Sequence, residues 1–112
     1  MLEILKKTLK TGCQTTKYPD VPDAAPVGFR GRPHLLSDKC TFCGECVAAC
    51  PPGVIWLKEE NNRKTLSLSI CGCIFCARCE EVCKYGAVTL TEEFELASKT
   101  KEDLVASIRS KL

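Results

Sequence analysis

Two cysteine runs are the residues best placed to do chemistry: Cys40-Thr-Phe-Cys43-Gly-Glu-Cys46-Val-Ala-Ala-Cys50-Pro51 and Cys73-Ile-Phe-Cys76-Ala-Arg-Cys79-Glu-Glu-Val-Cys83. Both have the spacing C-x2-C-x2-C-x3-C. Ten cysteines in 112 residues admit three explanations: disulfides, zinc or iron–sulfur. The opening stretch MLEILKKTLKTGC has lysines within its apolar residues and no small-residue cleavage site, which argues against secretion and hence against a disulfide scaffold. Structural zinc usually takes two C-x2–4-C pairs across a long spacer, so four cysteines in one run fit it poorly. They do match the ligand run of a [4Fe–4S] cluster.

In that run three thiolates spaced by two residues wrap one face of a cube. The fourth, one helical turn on, points away and ligates the other cluster when two are present. The expected sets are therefore Cys40, Cys43, Cys46 and Cys83 on one cluster, and Cys73, Cys76, Cys79 and Cys50 on the second. Cysteine supplies every ligand and leaves no iron open, so these sites read as an electron relay rather than a place for substrate. Thr41, Phe42, Gly44, Ile74, Phe75 and Ala77 are small or apolar, which shields the cube and frees backbone N–H groups to face sulfur. Arg78 and Lys84 adjoin ligands, where a cation would favour the reduced, more negative cluster. Cys71 and Cys13 lie outside the pattern and read as packed thiols. His34 is the sole histidine and reads as structural, and Trp56 as a cover for the strand surface or an interface. With no G-x-S-x-G, Walker loop or G-x-G-x-x-G, the chain reads as non-catalytic.

The elements that must position these loops repeat with a period of 33 residues across 35–90. Adding 33 takes each cysteine of the first run onto the second, Phe42 onto Phe75, Gly53 onto Gly86 and Leu57 onto Leu90. Each half reads as strand, cluster loop, short helix, strand. The helices are expected at Glu45–Cys50 and Arg78–Cys83, and the exit strands at Val54–Lys58 and Ala87–Leu90. Thr65–Ile70 alternates with period two, as a half-buried strand does, and Asn61-Asn62 is the turn between halves. The expected core is Ile55, Leu57, Leu66, Leu68, Ile70, Ile74 and Val88. So small a core implies that the apo chain is largely unfolded.

The flanks are of a different character. Leu2, Leu5 and Leu9, with Ile4, make a short amphipathic helix over residues 1–10, with Lys6, Lys7 and Lys10 on its other side. It needs a surface to lie on. Residues 11–34 hold Pro19, Pro22, Pro26 and Pro33 and read as an extended segment that wraps a partner. After residue 90, Thr100 and Asp103 resemble a capping box, and Leu104, Val105, Ile108 and Leu112 follow at helical spacing. The expected parts are thus 1–34, an N-terminal helix and partner-wrapping leader; 35–90, a two-cluster domain; and 91–112, an extension with a short helix. The fold class is α+β, a bacterial-type two-cluster ferredoxin-like fold with a pseudo-two-fold repeat.

The net charge is +2, which suggests no nucleic-acid role. Residues 1–39 carry seven Lys/Arg against four acids, while 40–90 balance at five each. No run of apolar residues is long enough to cross a membrane.

The flanks also carry a family resemblance. Thr16-Lys17-Tyr18-Pro19, Phe29-Arg30-Gly31, the first cysteine run, Cys73-Ile74-Phe75-Cys76, and Thr91-Glu-Glu-Phe94-Glu95-Leu96-Ala97 occur in this order. Together they resemble the ferredoxin-like iron–sulfur subunit of respiratory complex I and of the energy-converting membrane-bound [NiFe] hydrogenases, from about residue 10 to 105. Lys84 departs from that family, which commonly has proline after the last ligand. The resemblance implies a peripheral-arm subunit with two [4Fe–4S] clusters, held by partner subunits on the cytoplasmic side of the membrane. It would take electrons from soluble ferredoxin and pass them to a neighbouring iron–sulfur subunit, near a hydrogenase-like large subunit. The short chain favours the hydrogenase or sulfur-reducing branch over complex I proper. Lys84, with Arg63 and Lys64, would be a contact for an acidic ferredoxin. A free, diffusible two-cluster ferredoxin and a zinc-stapled interaction module are the alternatives.

Overall fold

A computed structural model describes residues 1–111. In chain order it comprises α1 (Leu2–Thr11), β1 (Pro33–Leu35), α2 (Glu45–Ala49), β2 (Ile55–Glu60), β3 (Arg63–Ser69), α3 (Arg78–Val82), β4 (Val88–Leu90) and β5 (Val105–Arg109). Single 3₁₀ turns at Ile70–Gly72 and Glu102–Leu104 precede the second cysteine loop and β5. The strands form two antiparallel sheets, β1-β4 and β2-β3-β5.

Each sheet joins the two sequence repeats. Strand β1, which enters the first loop, pairs with β4, which leaves the second, in the register Leu35↔Val88 and Pro33↔Leu90. Strand β3, which enters the second loop, pairs with β2, which leaves the first, as Leu68↔Ile55 and Leu66↔Leu57. These pairs are the same up to the period of the repeat. Backbone hydrogen bonds just beyond the strands follow suit: Leu36 N–H donates to Ala87 O at 2.8 Å, and Ser69 N–H to Val54 O at 2.9 Å. The β2–β3 turn falls at Asn61 and Asn62, whose φ of 51° and 63° give the left-handed pair that a tight hairpin requires and that asparagine tolerates.

The buried core lies where the sheets meet the two short helices: Leu35, Phe42, Cys46, Ile55, Leu66, Leu68, Ile70 and Val88. Leu66, Leu68 and Val88 are almost wholly enclosed. Ile74, an expected core residue, is instead 60% exposed. It sits in the second cysteine loop, on the rim of the chamber described below.

The extension after residue 90 departs from expectation. No helix follows Thr100. A 3₁₀ turn at Glu102–Leu104 leads into β5, which pairs with the free edge of β3 through Leu66↔Ile108 and Leu68↔Ala106. Leu104 and Ile108 suit a helical period of four, but with Ala106 they also suit a period of two. The unpaired backbone of β3 decides between them, because a strand there satisfies donors and acceptors that a helix would leave to water. The expected capping box is absent: no side chain caps the turn, and Asp103 Oδ2 instead accepts from Ser98 Oγ at 2.7 Å. Leu112, placed at the end of the expected helix, lies outside the described residues.

The leader is exposed along most of its length, but its last residues join the domain ahead of residue 35. Gly31 N–H donates to Thr91 O and Arg32 N–H to Glu93 O, both at 2.8 Å, and Thr91 N–H returns a bond to Arg32 O at 3.0 Å. A Cβ on Gly31 would stand 2.3 Å from Glu93 O and 2.6 Å from Thr91 O, so only glycine allows this approach. Phe94 packs against Tyr18 and Phe29, at ring-centroid distances of 6.2 and 6.1 Å, and Tyr18 Oη donates to Glu95 Oε1. The motifs at 16–19, 29–31 and 91–97 thus meet in one clamp. Helix α1 forms as expected but has no buried residue. With it extended, the Cα radius of gyration is 20.1 Å, against about 13 Å for a compact chain of this length.

Candidate iron–sulfur centre

Both cysteine loops are shaped by the same backbone device. Phe42 and Gly44 in the first loop have φ of 55° and 81°, and Phe75 and Ala77 in the second have 52° and 65°. Left-handed residues alternating with ordinary ones turn successive N–H groups toward the inside of a loop, making a concavity suited to an anionic group. Phe75 N–H already donates to Cys73 Sγ at 3.4 Å. Gly44 and Ala77 then start α2 and α3, with Val47 N–H donating to Gly44 O at 3.1 Å and Glu80 N–H to Ala77 O at 3.0 Å. Each helix lasts five residues. Pro51 excludes continuation of α2, and the extended backbone of Cys50 and Cys83 turns the chain back toward its exit strand.

Cys50, from the first half, shares a chamber with Cys73, Cys76 and Cys79 from the second. The chamber's other walls are apolar: Pro33, Val54, Ile55, Leu68, Phe75 and Leu90 among them. The other four are Cys40, Cys43, Cys46 and Cys83; after burial, the nearness of Cys40, Cys43 and Cys83 helps raise the Cys46 pKa. Cys46 is also an electrostatic neighbour of Cys79, so the two sets approach through the packed pair α2 and α3. Of these eight cysteines only Cys43 is exposed. Among the described residues, no three His, Cys, Asp or Glu side chains are gathered tightly enough to hold a single ion. What the sites do combine is soft sulfur donors, inward amides and apolar walls. That fits a [4Fe–4S] cluster.

The thiols differ in acidity. Burial pushes the Cys46 and Cys73 thiols up, and takes Cys79 to about 11. Burial also raises Cys83, but backbone N–H groups of Ala87, Tyr85, Val88 and Gly86 outweigh it and hold this thiol below its ordinary value. The Ala87 N–H to Cys83 Sγ distance is 3.2 Å.

The residues outside the two sets fall as follows. Arg78 turns to the surface and pairs with Glu81 at 3.5 Å, both more than half exposed. Lys84 is exposed. Cys71 and Cys13, expected to be packed, are both exposed. Cys71 stands in the middle of the 3₁₀ turn that precedes the second loop, and Cys13 lies in the open leader beside Thr15. His34 lies opposite Thr89 in the β1–β4 ladder with its side chain outward, and Trp56 is half-buried on β2. The left-handed phenylalanines had no signal in the sequence, since nothing in the residue type favours that conformation.

Comparison with known proteins agrees with this geometry. Residues 39–87 match the model of the 4Fe-4S dicluster domain. The chain is 39% identical over 60 residues to formate hydrogenlyase subunit 6 of Escherichia coli, a match covering 54% of this chain and 33% of that protein. It is 41% identical over 56 residues to NADH-quinone oxidoreductase subunit I of Carboxydothermus hydrogenoformans, covering 47% of this chain and 40% of that protein. These relatives are of the kind the flanking motifs imply, and the matched stretches span well under half of their length. Among solved structures, a chain of the membrane-bound sulfane sulfur reductase, an archaeal respiratory membrane complex, is similar with a TM-score of 0.64 and 25% identity, covering 90% of this chain and 56% of that one.

Proposed function

We propose that this chain, which carries a 4Fe-4S dicluster domain, is a non-catalytic electron-relay subunit in the peripheral arm of a membrane-bound oxidoreductase related to complex I. Its nearest functional kin on this reading are ferredoxin-linked [NiFe] hydrogenases and sulfur-reducing complexes, and it sits on the cytoplasmic side of the membrane. Soluble ferredoxin donates the electrons, and a neighbouring iron–sulfur subunit beside a hydrogenase-like large subunit receives them. Among the described residues no helix is long and apolar enough to cross a membrane.

Each [4Fe–4S] cluster, when bound, takes up and releases one electron at a time. Cys40, Cys43, Cys46 and Cys83 would hold one, and Cys50, Cys73, Cys76 and Cys79 the other. The left-handed residues aim amides at the anionic groups, and Phe42, Phe75, Val54 and Leu90 keep water away. Cys46 and Cys79, on adjacent helices, bring the two sets together. We read the halves as related by a pseudo-two-fold axis, a reading supported by the reciprocal strand registers. Residues 35–90 supply the relay, while 1–34 and 91–112 supply the clamp and attachment.

The observation that carries this reading is the chamber in which one cysteine of the first run stands among three of the second. Paramagnetic resonance of the reduced holoprotein tests it through serine substitutions. Cys50→Ser should alter the same cluster signal as Cys76→Ser, and Cys83→Ser the same signal as Cys43→Ser. If Cys50→Ser and Cys43→Ser alter one common signal, the crossed assignment is wrong. Co-purification from the native membrane addresses the assembly: a nickel-bearing large subunit supports the hydrogenase branch. A stable monomer with no companions would make the chain a free ferredoxin.

A further inference from the structure

Helix α1 has no role in the relay and no contact with the core. Leu2, Ile4, Leu5 and Leu9 are between 57% and 76% exposed. At 100° per residue, these four side chains and Thr8 fall within an arc of about 160°. Lys6, Lys7, Lys10 and Glu3 occupy the opposite arc, so the polar face carries three cations against one acid. Met1, Leu2, Ile4, Leu5 and Thr8 border one open apolar groove on the other side.

We propose that α1 lies flat in the headgroup region of an anionic lipid surface, with Leu2, Ile4, Leu5 and Leu9 inserted and its lysines among the lipid phosphates. A broad apolar face opposite a lysine-rich one, on a helix of low mean hydropathy, is the pattern of an interfacial rather than a spanning helix. The lysines supply the charge complementarity that favours an anionic lipid surface, at about 1 kcal/mol each near such a surface. The exposed residues 12–17, ahead of the Tyr18 clamp, let the helix reach a surface without disturbing the domain. Structural likeness to a chain of a respiratory membrane complex covers 90% of this chain, which supports a setting beside a membrane. The inference rests on the reading of the chain as a subunit of a membrane-associated complex, and adds a direct lipid contact of its own.

The test is flotation of the full-length holoprotein with vesicles of phosphatidylglycerol and phosphatidylcholine, against phosphatidylcholine alone. Cluster absorbance is read in the same fractions. The protein should float with the anionic vesicles. Replacing Lys6→Gln, Lys7→Gln and Lys10→Gln together should weaken partitioning about a hundredfold, at about fivefold per lysine. Leu5→Glu with Leu9→Glu should abolish it without changing cluster absorbance, since α1 touches no core residue. Failure of the wild-type protein to float, or undiminished flotation of the leucine variant, overturns the proposal. So does protection of α1 from hydrogen exchange by partner subunits but not by vesicles. A protein that keeps its cluster absorbance yet ignores lipid leaves the relay intact, whereas absent cluster absorbance strikes the relay itself.

Discussion

Gly31→Ala offers a direct test of the clamp between leader and tail. Its Cβ would meet Glu93 O at 2.3 Å and Thr91 O at 2.6 Å, whereas ordinary contact needs about 3.4 Å. Both obstacles are backbone, so one segment must retreat by about an ångström. That movement breaks the bonds from Gly31 N–H to Thr91 O, from Arg32 N–H to Glu93 O and from Thr91 N–H to Arg32 O. At about 1 kcal/mol each, the loss is about 3 kcal/mol. The packing of Phe94 on Tyr18 and Phe29 would add to it. Three kilocalories correspond to roughly a hundredfold in an opening equilibrium. Amide hydrogen exchange at Arg32 and Thr91 should therefore accelerate by about that factor, with cluster content unchanged because the clamp lies outside both cysteine sets. Gly28→Ala is the control: its φ of 81° makes alanine mildly strained, but nothing lies within 4 Å of the added carbon. Equal exchange in wild-type and Gly31→Ala protein would refute the close approach.

Three further outcomes follow from the same geometry. Ala77 holds a φ of 65°, so Ala77→Gly should relieve about 1 kcal/mol and slow loss of the cluster to a chelator, while Gly44→Ala should hasten it. The Glu95 hydrogen bond raises the Tyr18 pKa, which makes the folded state hold its phenolic proton more tightly than the unfolded chain. The clamp's share of stability is then complete below the ordinary tyrosine pKa of about 10 and fades as pH rises through the folded value. Tyr18→Phe should remove that alkaline dependence of exchange at Thr91, and its persistence would exclude Tyr18 as the source. Stripping iron from the holoprotein should abolish most strand and helix circular dichroism, since much of the interior is thiol-lined space; an apo chain with native dichroism would show the core to be self-sufficient.

What could be read from the sequence was what covalent spacing determines. The 33-residue repeat located both loops, both short helices and the hairpin at Asn61-Asn62, because each depends on residues within one turn or one loop of itself. Strand β5 escaped because Leu104 and Ile108 satisfy two periods at once, and only the open edge of β3 distinguishes them. Cys71 was expected to be buried because it aligns with no ligand, but alignment carries no information about which side of a 3₁₀ turn faces water. Ile74 failed for a related reason, as apolar character does not say which loop residues point inward. The meeting of Tyr18, Phe29 and Phe94 lay in plain view as three flanking motifs, yet their contact depends on Gly31 bringing distant backbones together.

The crossed strand pairing has a consequence for how the chain is made. Strand β1 closes only on β4, so Pro33–Leu35 must wait until Val88–Leu90 have emerged from the ribosome. At about 5–20 residues per second this delay is roughly three to ten seconds. Throughout it the first cysteine run is synthesised but unsheltered, its thiols open to oxygen and stray metal. Whatever machinery delivers iron and sulfide therefore meets a chain in which both halves have already been made, and the cell must keep those thiols reduced in the meantime.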